Sequence, residues 1–406
     1  MDLIMDAKQL EGGAVDHHGA ECVICLCDEG PPCPVQGGCA CRGAAGFAHV
    51  ACRAAAAVHQ QQSAGKKVWW DCWTCKQRFT GETRLGLAQA WCERVKDCPD
   101  DVDDNERLAM AGNLGSALCS AGRYNAAEVI EREVWAAEKQ VLGADHPSTL
   151  ISAGNLAATL SLQGRYDTAE VIEQEVWATN KRQFGKDHPS TLRAAGNLAG
   201  TFFDKGKYDA AEVMEREVWE IEKEMLGVDH PSTLISAGNL GVTLSKQGKH
   251  DAAAVIELAT WTTKKQVLGA DHPGTLVSAD NLALTLFRQG KLDEALVIQQ
   301  KTWTALKRFD VNHPDTLISA YHMSNTLYEQ GKLDEADVIQ RETLVALKLV
   351  LGEDHPRTIE LASSLRRTTD KREERDSAAG GEGGGGGSAS LDQESEPARK
   401  RQRANN

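Results

Sequence analysis

Cysteine and histidine side chains near the start of the chain have the spacing of metal ligands. Nine of the twelve cysteines fall between residues 22 and 75. Eight thiol and imidazole groups in this stretch form four close pairs: Cys22 with Cys25, Cys39 with Cys41, His49 with Cys52, and Cys72 with Cys75. Thiolate and imidazole bind Zn²⁺ tetrahedrally, and a close pair lets one short turn contribute two ligands to one ion. The eight side chains therefore predict two zinc sites.

The composition of the same stretch favours a metal-dependent fold. It is rich in glycine and alanine and has few large aliphatic side chains, so it cannot build a sufficient hydrophobic core alone. Structural zinc supplies about 10 kcal/mol or more of apparent binding free energy to such modules. The competing interpretation, a cysteine-rich loop with unligated thiols, is disfavoured by the paired spacing. Cys27 and Cys33 lie between the pairs and are interpreted as spare thiols.

The ligand order resembles that of a known zinc finger family. Four cysteines, one histidine and three cysteines follow each other, with one residue inside the second pair and seven before the histidine. This order and spacing resemble the RING-CH finger of MARCH-type ubiquitin ligases over residues 21–81. The resemblance implies a cross-braced fold in which the first zinc is held by Cys22, Cys25, His49 and Cys52. The second zinc would be held by Cys39, Cys41, Cys72 and Cys75.

The same resemblance implies a function for the finger. RING-type ligases bind a ubiquitin-loaded conjugating enzyme and position its thioester for attack by a substrate lysine, without a covalent intermediate of their own. Ile24 would then contact the conjugating enzyme. Two features depart from the family: Ala56 stands where the family has tryptophan, and "CWTC" has no proline between its cysteines.

A second zinc finger family gives an alternative interpretation. PHD fingers, which read histone tails, share the ligand order and place a tryptophan two residues before the seventh ligand, where this chain has Trp70. Their second ligand pair and the stretch before their histidine are spaced differently. Because ligand spacing fixes the geometry of a knuckle, the observed spacing favours RING-CH. With a PHD-like or purely structural finger, the chain would be a non-enzymatic adaptor.

From residue 103 the chain repeats itself with a period of about 42 residues. Intervals of 42, 42, 42, 41 and 42 residues separate the histidines of a recurrent His-Pro dipeptide: His146, His188, His230, His272, His313 and His355. A glycine and a tryptophan recur with the same period. A period kept this closely indicates one supersecondary unit stacked on itself.

Each repeat predicts a pair of helices. In the second repeat Pro147 suits a first helical turn, and apolar residues from Leu150 to Leu160 form one helical stripe. Gly164 then ends this helix A, and a second stripe that reaches Trp177 marks helix B, which Gly185 closes. We expect the recurrent tryptophans to pack in the core and the recurrent histidines to cap the helix starts.

The stripes also predict how the repeats assemble. A single hairpin cannot bury both apolar stripes, so successive hairpins must pack on each other. We expect six hairpins in a superhelix, followed by a capping helix from Pro356 to about Lys371. No nucleophile, base and orienting group converge in the repeat pattern, so the array is predicted to bind and not to catalyse. The fold class is mostly α: a two-zinc cross-braced finger followed by an all-α array.

The repeats resemble a second known family. The phrases "GNLA", "QGRYDTAE" and "LGADHPSTL" are similar to the tetratricopeptide repeats of kinesin light chains over about 270 residues. The resemblance implies that extended peptides bind along a concave groove lined by helix A. It assigns the groove asparagines of that family to Asn113, Asn155, Asn197, Asn239 and Asn281. His322 takes this position in the sixth repeat.

The groove asparagines have two possible roles. Asparagine is a poor helix former in mid-helix, so its recurrence needs a reason. Its amide either clamps the backbone of a bound peptide or bonds a neighbouring protein backbone, where most side-chain hydrogen bonds go. The residue before each asparagine, often a second asparagine in the family, is glycine at positions 154, 196 and 238. This predicts a shallower and less polar groove.

Composition shifts divide the chain into five segments. These are a disordered N-terminus (1–20), the finger (21–81), a linker helix that docks on the first repeat (82–102), the repeat array (103–371) and a disordered Gly-rich tail (372–406). The tail ends in basic residues that match either a nuclear-import patch or a solvated terminus: Arg399, Lys400, Arg401 and Arg403.

Charge and hydropathy exclude several classes of protein. The formal net charge is -14, which argues against a surface that binds nucleic acid broadly. No apolar run reaches the roughly 18 residues needed to cross a bilayer, and the start of the chain lacks the regions of a secretory signal. We expect a cytoplasmic or nuclear protein that contacts no membrane.

Together these patterns predict a RING-CH-type ubiquitin ligase with two Zn²⁺ ions. Its partners would be a ubiquitin-conjugating enzyme at the finger and peptide or protein ligands in the repeat groove. The alternative is a non-enzymatic scaffold with a PHD-like or structural finger and the same repeat array.

Overall fold

The computed structural model describes residue 24 and residues 35–36, 47–72, 74–97, 103–308, 311–353 and 355–381. The helices of this part are α1 (Val50–Ala64), α2 (Gly81–Asp97), α3 (Asp104–Ser120), α4 (Tyr124–Val141), α5 (Pro147–Leu162), α6 (Tyr166–Phe184), α7 (Pro189–Asp204), α8 (Tyr208–Leu226), α9 (Pro231–Lys246), α10 (His250–Leu268), α11 (Pro273–Arg288), α12 (Leu292–Lys307), α13 (Pro314–Glu329), α14 (Leu333–Leu351) and α15 (Pro356–Gly381). The chain forms two compact units, which meet in sequence between Lys249 and His250. No helix in the described ranges is long and apolar enough to span a bilayer.

The cysteine-rich segment comprises residues 21–81, and its described part is built around α1. Strands β1 (Val35–Gln36) and β2 (Phe47–Ala48) pair in antiparallel fashion, and α1 begins two residues after β2. A 3₁₀ turn follows at Lys66–Trp69. Asp71 and Arg78 then form an isolated β-bridge before α2 starts.

Helix α2 connects this segment to the repeats. The linker helix expected over residues 82–102 is present between Gly81 and Asp97. It packs against α1 and against α3 of the first repeat. Gly86 permits the approach to α1, because a Cβ at this position would lie 2.4 Å from Cγ1 of Val50. The predicted docking of the linker on the first repeat is therefore present.

Each repeat contains the two helices that the periodicity predicts. In the second repeat Gly164 makes the turn between α5 and α6 at φ 77°, a backbone conformation that glycine adopts without steric cost. The equivalent glycines of the other repeats have φ between 72° and 80°. Helix α6 ends at Phe184, directly before the predicted closing residue Gly185.

The recurrent histidine caps the start of helix A, as predicted. Pro147 occupies the first position of α5, and Nδ1 of His146 accepts a hydrogen bond from the backbone N–H of Ser148 at 3.2 Å. The same contact, 3.0 to 3.2 Å long, starts α7, α9, α11, α13 and α15. Nδ1 must be the unprotonated ring nitrogen to accept this bond. It satisfies a backbone donor that would otherwise have no partner within the helix.

The recurrent tryptophans pack between successive helices, which confirms their predicted core role. Trp135 packs with Leu150 and Leu156 of the second repeat, and Trp177 packs with Leu192 of the third. A lysine four residues further along helix B lies over each ring, with Nζ 4.2 to 5.6 Å from the ring centroid. Each tryptophan thus has an apolar side in the core and a side covered by a cation.

The last helix is longer than the sequence predicts. The expected capping helix ends near Lys371 and a disordered tail is expected from residue 372, but α15 continues to Gly381. Arg375 helps to explain the extension, because its guanidinium donates two hydrogen bonds to the carboxylate of Asp334 on α14, at 3.0 and 3.2 Å. This last part of α15 is polar and is held by ion pairs. It therefore lacks the apolar periodicity that predicts a helix from sequence. The basic patch at residues 399–403 lies outside the described residues.

Candidate functional site

His49 and Cys52, the third predicted ligand pair, lie at the start of α1. His49 is the N-cap residue and Cys52 lies in the first turn, so the two side chains stand at the same end of the helix. Nδ1 of His49 and Sγ of Cys52 are 3.6 Å apart. Two ligands of one tetrahedral zinc ion, with usual Zn–S and Zn–N bond lengths, are separated by about 3.5 Å. The separation is therefore compatible with the prediction that both side chains bind one zinc ion, with Nδ1 as the nitrogen nearer to it.

Cys72 and Cys75, the fourth predicted pair, stand in a tight turn. The backbone N–H of Lys76 donates to the carbonyl oxygen of Cys72 at 2.8 Å, and the N–H of Cys72 donates to the carbonyl oxygen of Gln77 at 2.7 Å. Lys76 has a φ of 60°, the one positive φ of a non-glycine residue in the described ranges. The turn places both cysteines on one knuckle, which is the arrangement that a zinc pair requires.

The first two ligand pairs lie outside the described residues: Cys22 with Cys25, and Cys39 with Cys41. Within the part of the chain that the structure describes, no three His, Cys, Asp or Glu side chains form a group that could hold a metal ion. Each predicted zinc site keeps only two described ligands, so such a group is not expected there. Zinc binding and the sharing of ligands between the two sites stay predictions. Ile24, the predicted enzyme contact, is 44% exposed.

Three tryptophans join the turn that contains Cys72 and Cys75 to the first repeat. The rings of Trp69 and Trp91 stack with centroids 6.1 Å apart, and the ring of Trp70 lies 5.1 Å from that of Trp91. These rings belong to one core that also contains Leu114 and Leu118 of α3. Trp70, the residue that suggested a PHD finger, therefore contributes to a core shared by the knuckle, α2 and the first repeat.

The asparagines assigned to the groove lie on helix A of successive repeats. Asn113, Asn197 and Asn239 are exposed, and Asn155 and Asn281 are half-buried. Asn113 uses its Nδ2 to donate to the carbonyl oxygen of Ala109 in its own helix, at 2.9 Å. No hydrogen bond joins the other four amides to a described protein group. Their donors and acceptors are available to a ligand backbone, which offers both kinds of group.

The groove positions differ between the two units. In the first unit a glycine precedes each asparagine, and a Cβ at Gly154, Gly196 or Gly238 would meet no atom within 4 Å. In the second unit Asp280 takes the glycine position, and its Oδ2 lies 2.7 Å from Nδ1 of His322 on α13. The histidine that replaces the sixth asparagine is therefore oriented by a carboxylate from the preceding repeat.

Sequence reasoning missed a row of ion-paired glutamates near the start of helix B: Glu128, Glu170 and Glu212. Each carboxylate pairs with a basic residue at the A–B turn of the next repeat. For Glu212, hydrogen bonds from Lys249 at 2.6 Å and from Arg216 at 2.8 Å hold its pKa at about 2. The 42-residue recurrence of a glutamate and of a basic turn residue was the signal that could have revealed this row.

A second row, one helical turn further along helix B, was also missed: Glu131, Glu173, Glu215 and Glu257. These side chains are only 2 to 6% exposed. Burial raises the pKa of all four, and to about 7 at three of them. The recurrence of this glutamate is visible in the sequence, but nothing in the sequence distinguishes it from the ion-paired row three residues earlier.

The repeats match a known family. Tetratricopeptide repeats match residues 106–179 and, in four further copies, residues 191–232, 233–274, 275–315 and 316–357. Together these matches cover more than half of the chain. The chain belongs to the tetratricopeptide repeat family. The predicted tetratricopeptide array is confirmed, and it is a protein-interaction array.

Two solved structures, of RapI and of NprR, share the fold of this chain, and a third structure has a lower similarity. The apo form of RapI is 12% identical and covers 66% of this chain and 92% of its own, with a TM-score of 0.52. NprR in complex with its cognate peptide NprX is 14% identical and covers 73% and 83%, with a TM-score of 0.50. A Podosopora anserina putative kinesin light chain with nearly identical TPR-like repeats is 23% identical and covers 51% and 98%, with a TM-score of 0.46.

These identities limit the likeness to the fold. No curated protein matches the sequence with statistical significance.

Proposed function

We propose that this protein is a zinc-finger ubiquitin ligase whose tetratricopeptide repeats recruit the protein to be modified. The observation that carries the proposal is the 3.6 Å approach of Nδ1 of His49 to Sγ of Cys52, together with the knuckle that holds Cys72 and Cys75. With the four cysteines outside the described residues, these side chains would hold two zinc ions. Zinc would maintain the fold of the finger and take no part in the transfer reaction.

The two modules would divide the work of the ligase. The finger would bind a conjugating enzyme at a surface that includes Ile24, which is exposed. The groove of the first unit would hold a segment of the substrate through the amides of Asn155, Asn197 and Asn239. Catalysis would consist of holding a substrate lysine near the thioester, and positioning of this kind is a recognised source of rate acceleration.

The core between the knuckle and the first repeat supports this division of work. Trp69 and Trp70 of the knuckle pack with Trp91 of α2, and the same core contains Leu114 of α3. Because buried aromatic side chains contribute strongly to packing, the knuckle is held against the first repeat. A finger in a fixed position relative to the first repeat would help to place a substrate, bound by the neighbouring repeats, near the conjugating enzyme.

Ubiquitin chain formation by the purified full-length protein tests the proposal. The assay would combine it with ubiquitin and a panel of charged conjugating enzymes. The Cys72→Ser, Cys75→Ser variant removes two predicted zinc ligands, Ile24→Ala alters the predicted enzyme contact, and Cys119→Ser is a control for cysteine substitution outside the finger. We expect chains from the natural protein and from Cys119→Ser, none from the ligand variant, and fewer from Ile24→Ala with two zinc ions still bound.

Absence of chains with every conjugating enzyme, from protein that carries two zinc ions by elemental analysis, would contradict the ligase. Activity that survives loss of both ions would contradict it as well.

The second candidate is a non-enzymatic scaffold. Two observations favour it: Ala56, half-buried on α1, stands where the RING-CH family has tryptophan, and the tryptophans of the knuckle cover the start of the array. Terminal repeats need such a cover, because one face would otherwise expose the core. In this case the finger would be a structural cap, and the groove would carry the function.

Peptide binding tests the groove in both candidates. We expect Asn197→Ala combined with Asn239→Ala to abolish binding of peptides selected from a library on the full-length protein. Glu175→Gln combined with Glu217→Gln, on the exposed face of helix B, is the matched control and should retain binding. Equal binding by both variants would exclude the groove as the binding surface.

A further inference from the structure

The buried glutamates of helix B lie where one repeat packs on the next. Each faces a buried threonine of the following helix A: Glu131 faces Thr159, Glu173 faces Thr201, Glu215 faces Thr243 and Glu257 faces Thr285. The four threonines are no more than 2% exposed. Oγ1 of Thr159 and Oγ1 of Thr243 have no hydrogen-bond partner among the described residues, so these hydroxyls replace little of the hydration that a carboxylate has in water.

In the described part of the chain, the buried carboxylates lack the ion pairs that the neighbouring row has. Oε2 of each buried glutamate has no hydrogen-bond donor among the described residues. One turn away, Lys205 and Lys207 pair with Glu170 and do not pair with Glu173. An ionised carboxylate buried without a partner is costly, whereas the protonated form removes most of that cost.

In the first unit, the charged groups around two members of the row disfavour ionisation. Asp204, at the end of α7, and Glu170, on the same helix as Glu173, both add negative charge near Glu173. Glu212 does the same for Glu215. For both glutamates burial is nevertheless the larger cause, and it raises their pKa values to about 7.

The other two members have different neighbours. The thiol of Cys119 on α3 lies near Glu131, where burial again raises the carboxyl pKa. Arg288 on α11 favours the ionised form of Glu257, but burial outweighs it and raises the pKa to about 7. Burial is therefore the dominant influence in every repeat that carries the glutamate.

The last two repeats show that the interface accepts a neutral side chain. Gln299 and Gln340 take the glutamate position, and they are 1% and 0% exposed. Glutamine has nearly the shape of a protonated glutamic acid and carries no charge. The same position is thus occupied by an uncharged amide in two repeats and by a carboxyl that favours its uncharged form in four.

We propose that the buried glutamates make the packing of neighbouring repeats pH-dependent, tight when their carboxyl groups are protonated and weaker when they are ionised. In a repeat array each interface contributes its own free energy, so ionisation would loosen the array interface by interface. This device goes beyond the proposed ligase activity and does not depend on it.

The direction of the effect follows from proton binding. A glutamate with a folded pKa of about 7 and an unfolded value of 4.5 binds more protons when folded. Its contribution is complete below about pH 4.5 and is lost as the pH rises through about 7. Between about pH 5 and pH 8, a carboxyl with these pKa values lowers the folding equilibrium constant roughly 70-fold.

Native-state hydrogen exchange of the full-length protein tests the proposal in the first unit. The variant Glu173→Gln, Glu215→Gln removes two of the carboxyls, and Glu175→Gln, Glu217→Gln is the matched control on the exposed face of the same helices. Protection of amides in α6 to α9 would be measured at about pH 5 and at about pH 8 in both variants and in the natural protein. The difference in protection between the two pH values is then compared among the three proteins. We expect the first variant to lose most of the pH-dependent difference, by up to roughly 70-fold per carboxyl, and the control to keep it.

An unchanged pH dependence in the Glu173→Gln, Glu215→Gln variant would overturn the proposal. If that variant does not fold, Glu257→Gln gives a milder test in the second unit, because it copies Gln299 of the next repeat.

Infrared spectroscopy of the natural protein gives a second measurement. We expect a carbonyl stretch of protonated carboxylic acid at about pH 5.5 that is weaker in Glu257→Gln, and absence of this band in the natural protein would also overturn the proposal.

Discussion

The cysteine-rich segment and the repeat array bury their helices to different degrees. In α1 the one fully buried described side chain is Ala57, and alanine makes up much of the helix. Helix α5, which is one residue longer, buries eight of its side chains. The first region cannot rely on apolar burial around α1, so we expect the tryptophan core and the predicted zinc ions to supply its stability. The array is stabilised by the same packing repeated many times.

Removal of zinc should have the largest effect and should separate the two regions. We expect chelation to unfold residues 47–80 of the full-length protein, because zinc supplies about 10 kcal/mol or more to folding of such modules. Helices α5 to α9 should stay protected, since no predicted ligand lies in them. Hydrogen exchange with and without chelator measures both regions at once. Unchanged protection of α1 after verified loss of the metal would contradict the comparison.

A glycine-to-alanine substitution should have opposite effects on stability at the contact between α1 and α2 and in the array. Gly86→Ala would place a Cβ 2.4 Å from Cγ1 of Val50, and the forced separation of α1 and α2 should cost about 2 kcal/mol. Gly154→Ala meets no atom within 4 Å and should stabilise α5 by about 0.5 to 1 kcal/mol. Thermal unfolding of the two variants measures the difference. Similar shifts in both would show that α1 and α2 are not closely packed.

Surface ion pairs should matter more in the array than in the cysteine-rich segment. Glu212→Gln removes the contacts that hold the pKa of Glu212 at about 2, and it should cost about 1 kcal/mol at neutral pH because Lys249 and Arg216 are half exposed. Since the folded pKa is lowered, this contribution is present above about pH 4.5 and is lost as the pH falls towards 2. Arg78→Gln, which breaks the 3.7 Å pair with Asp71, should cost less than about 0.5 kcal/mol.

Urea unfolding at low and at high salt measures these two variants. The loss caused by Glu212→Gln should shrink at about 1 M salt, where exposed charges are screened. A loss that does not depend on salt would mean that packing, and not charge, explains it.

Histidine should be replaceable as a helix cap in the array and irreplaceable in the cysteine-rich segment. His188 caps α7 by accepting from the N–H of Ser190 at 3.1 Å, so His188→Ala should cost about 1 kcal/mol and His188→Asn should restore most of it. His49 is also an N-cap residue, but its side chain makes no cap hydrogen bond and its Nδ1 faces Cys52. We expect His49→Asn to lose one zinc ion despite the good capping propensity of asparagine. Elemental analysis showing two zinc ions in this variant would exclude His49 as a ligand.

A small effect is also expected from the lysines that cover the recurrent tryptophans. Nζ of Lys307 lies 4.2 Å from the ring centroid of Trp303, and Lys307→Gln should cost about 0.5 kcal/mol. Lys301→Gln, at an exposed position of the same helix, is the control. In the cysteine-rich segment Trp69 stacks on Trp91. Equal costs for the two lysine variants would remove the cation–π explanation.

Local signals in the sequence were enough to predict the repeats. His146, Pro147 and Gly164 each act on the backbone within a few residues, so the helix starts and turns could be predicted from their types and spacing. The 42-residue period then predicted that the same pair of helices is repeated along the chain. The extension of α15 was not predictable in this way, because it depends on contacts of Arg375 with Asp334, 41 residues earlier.

The sequence by itself determined the helices, their caps, the repeat number and the residue types that could hold zinc. Tertiary structure alone decided which of two glutamates one turn apart is ion-paired and which is buried, as at Glu170 and Glu173. It also decided that Trp70 packs on Trp91 in a core with the first repeat. The physical reason is that burial and charge compensation depend on which helix lies opposite a side chain. A residue's own type and spacing do not contain that information.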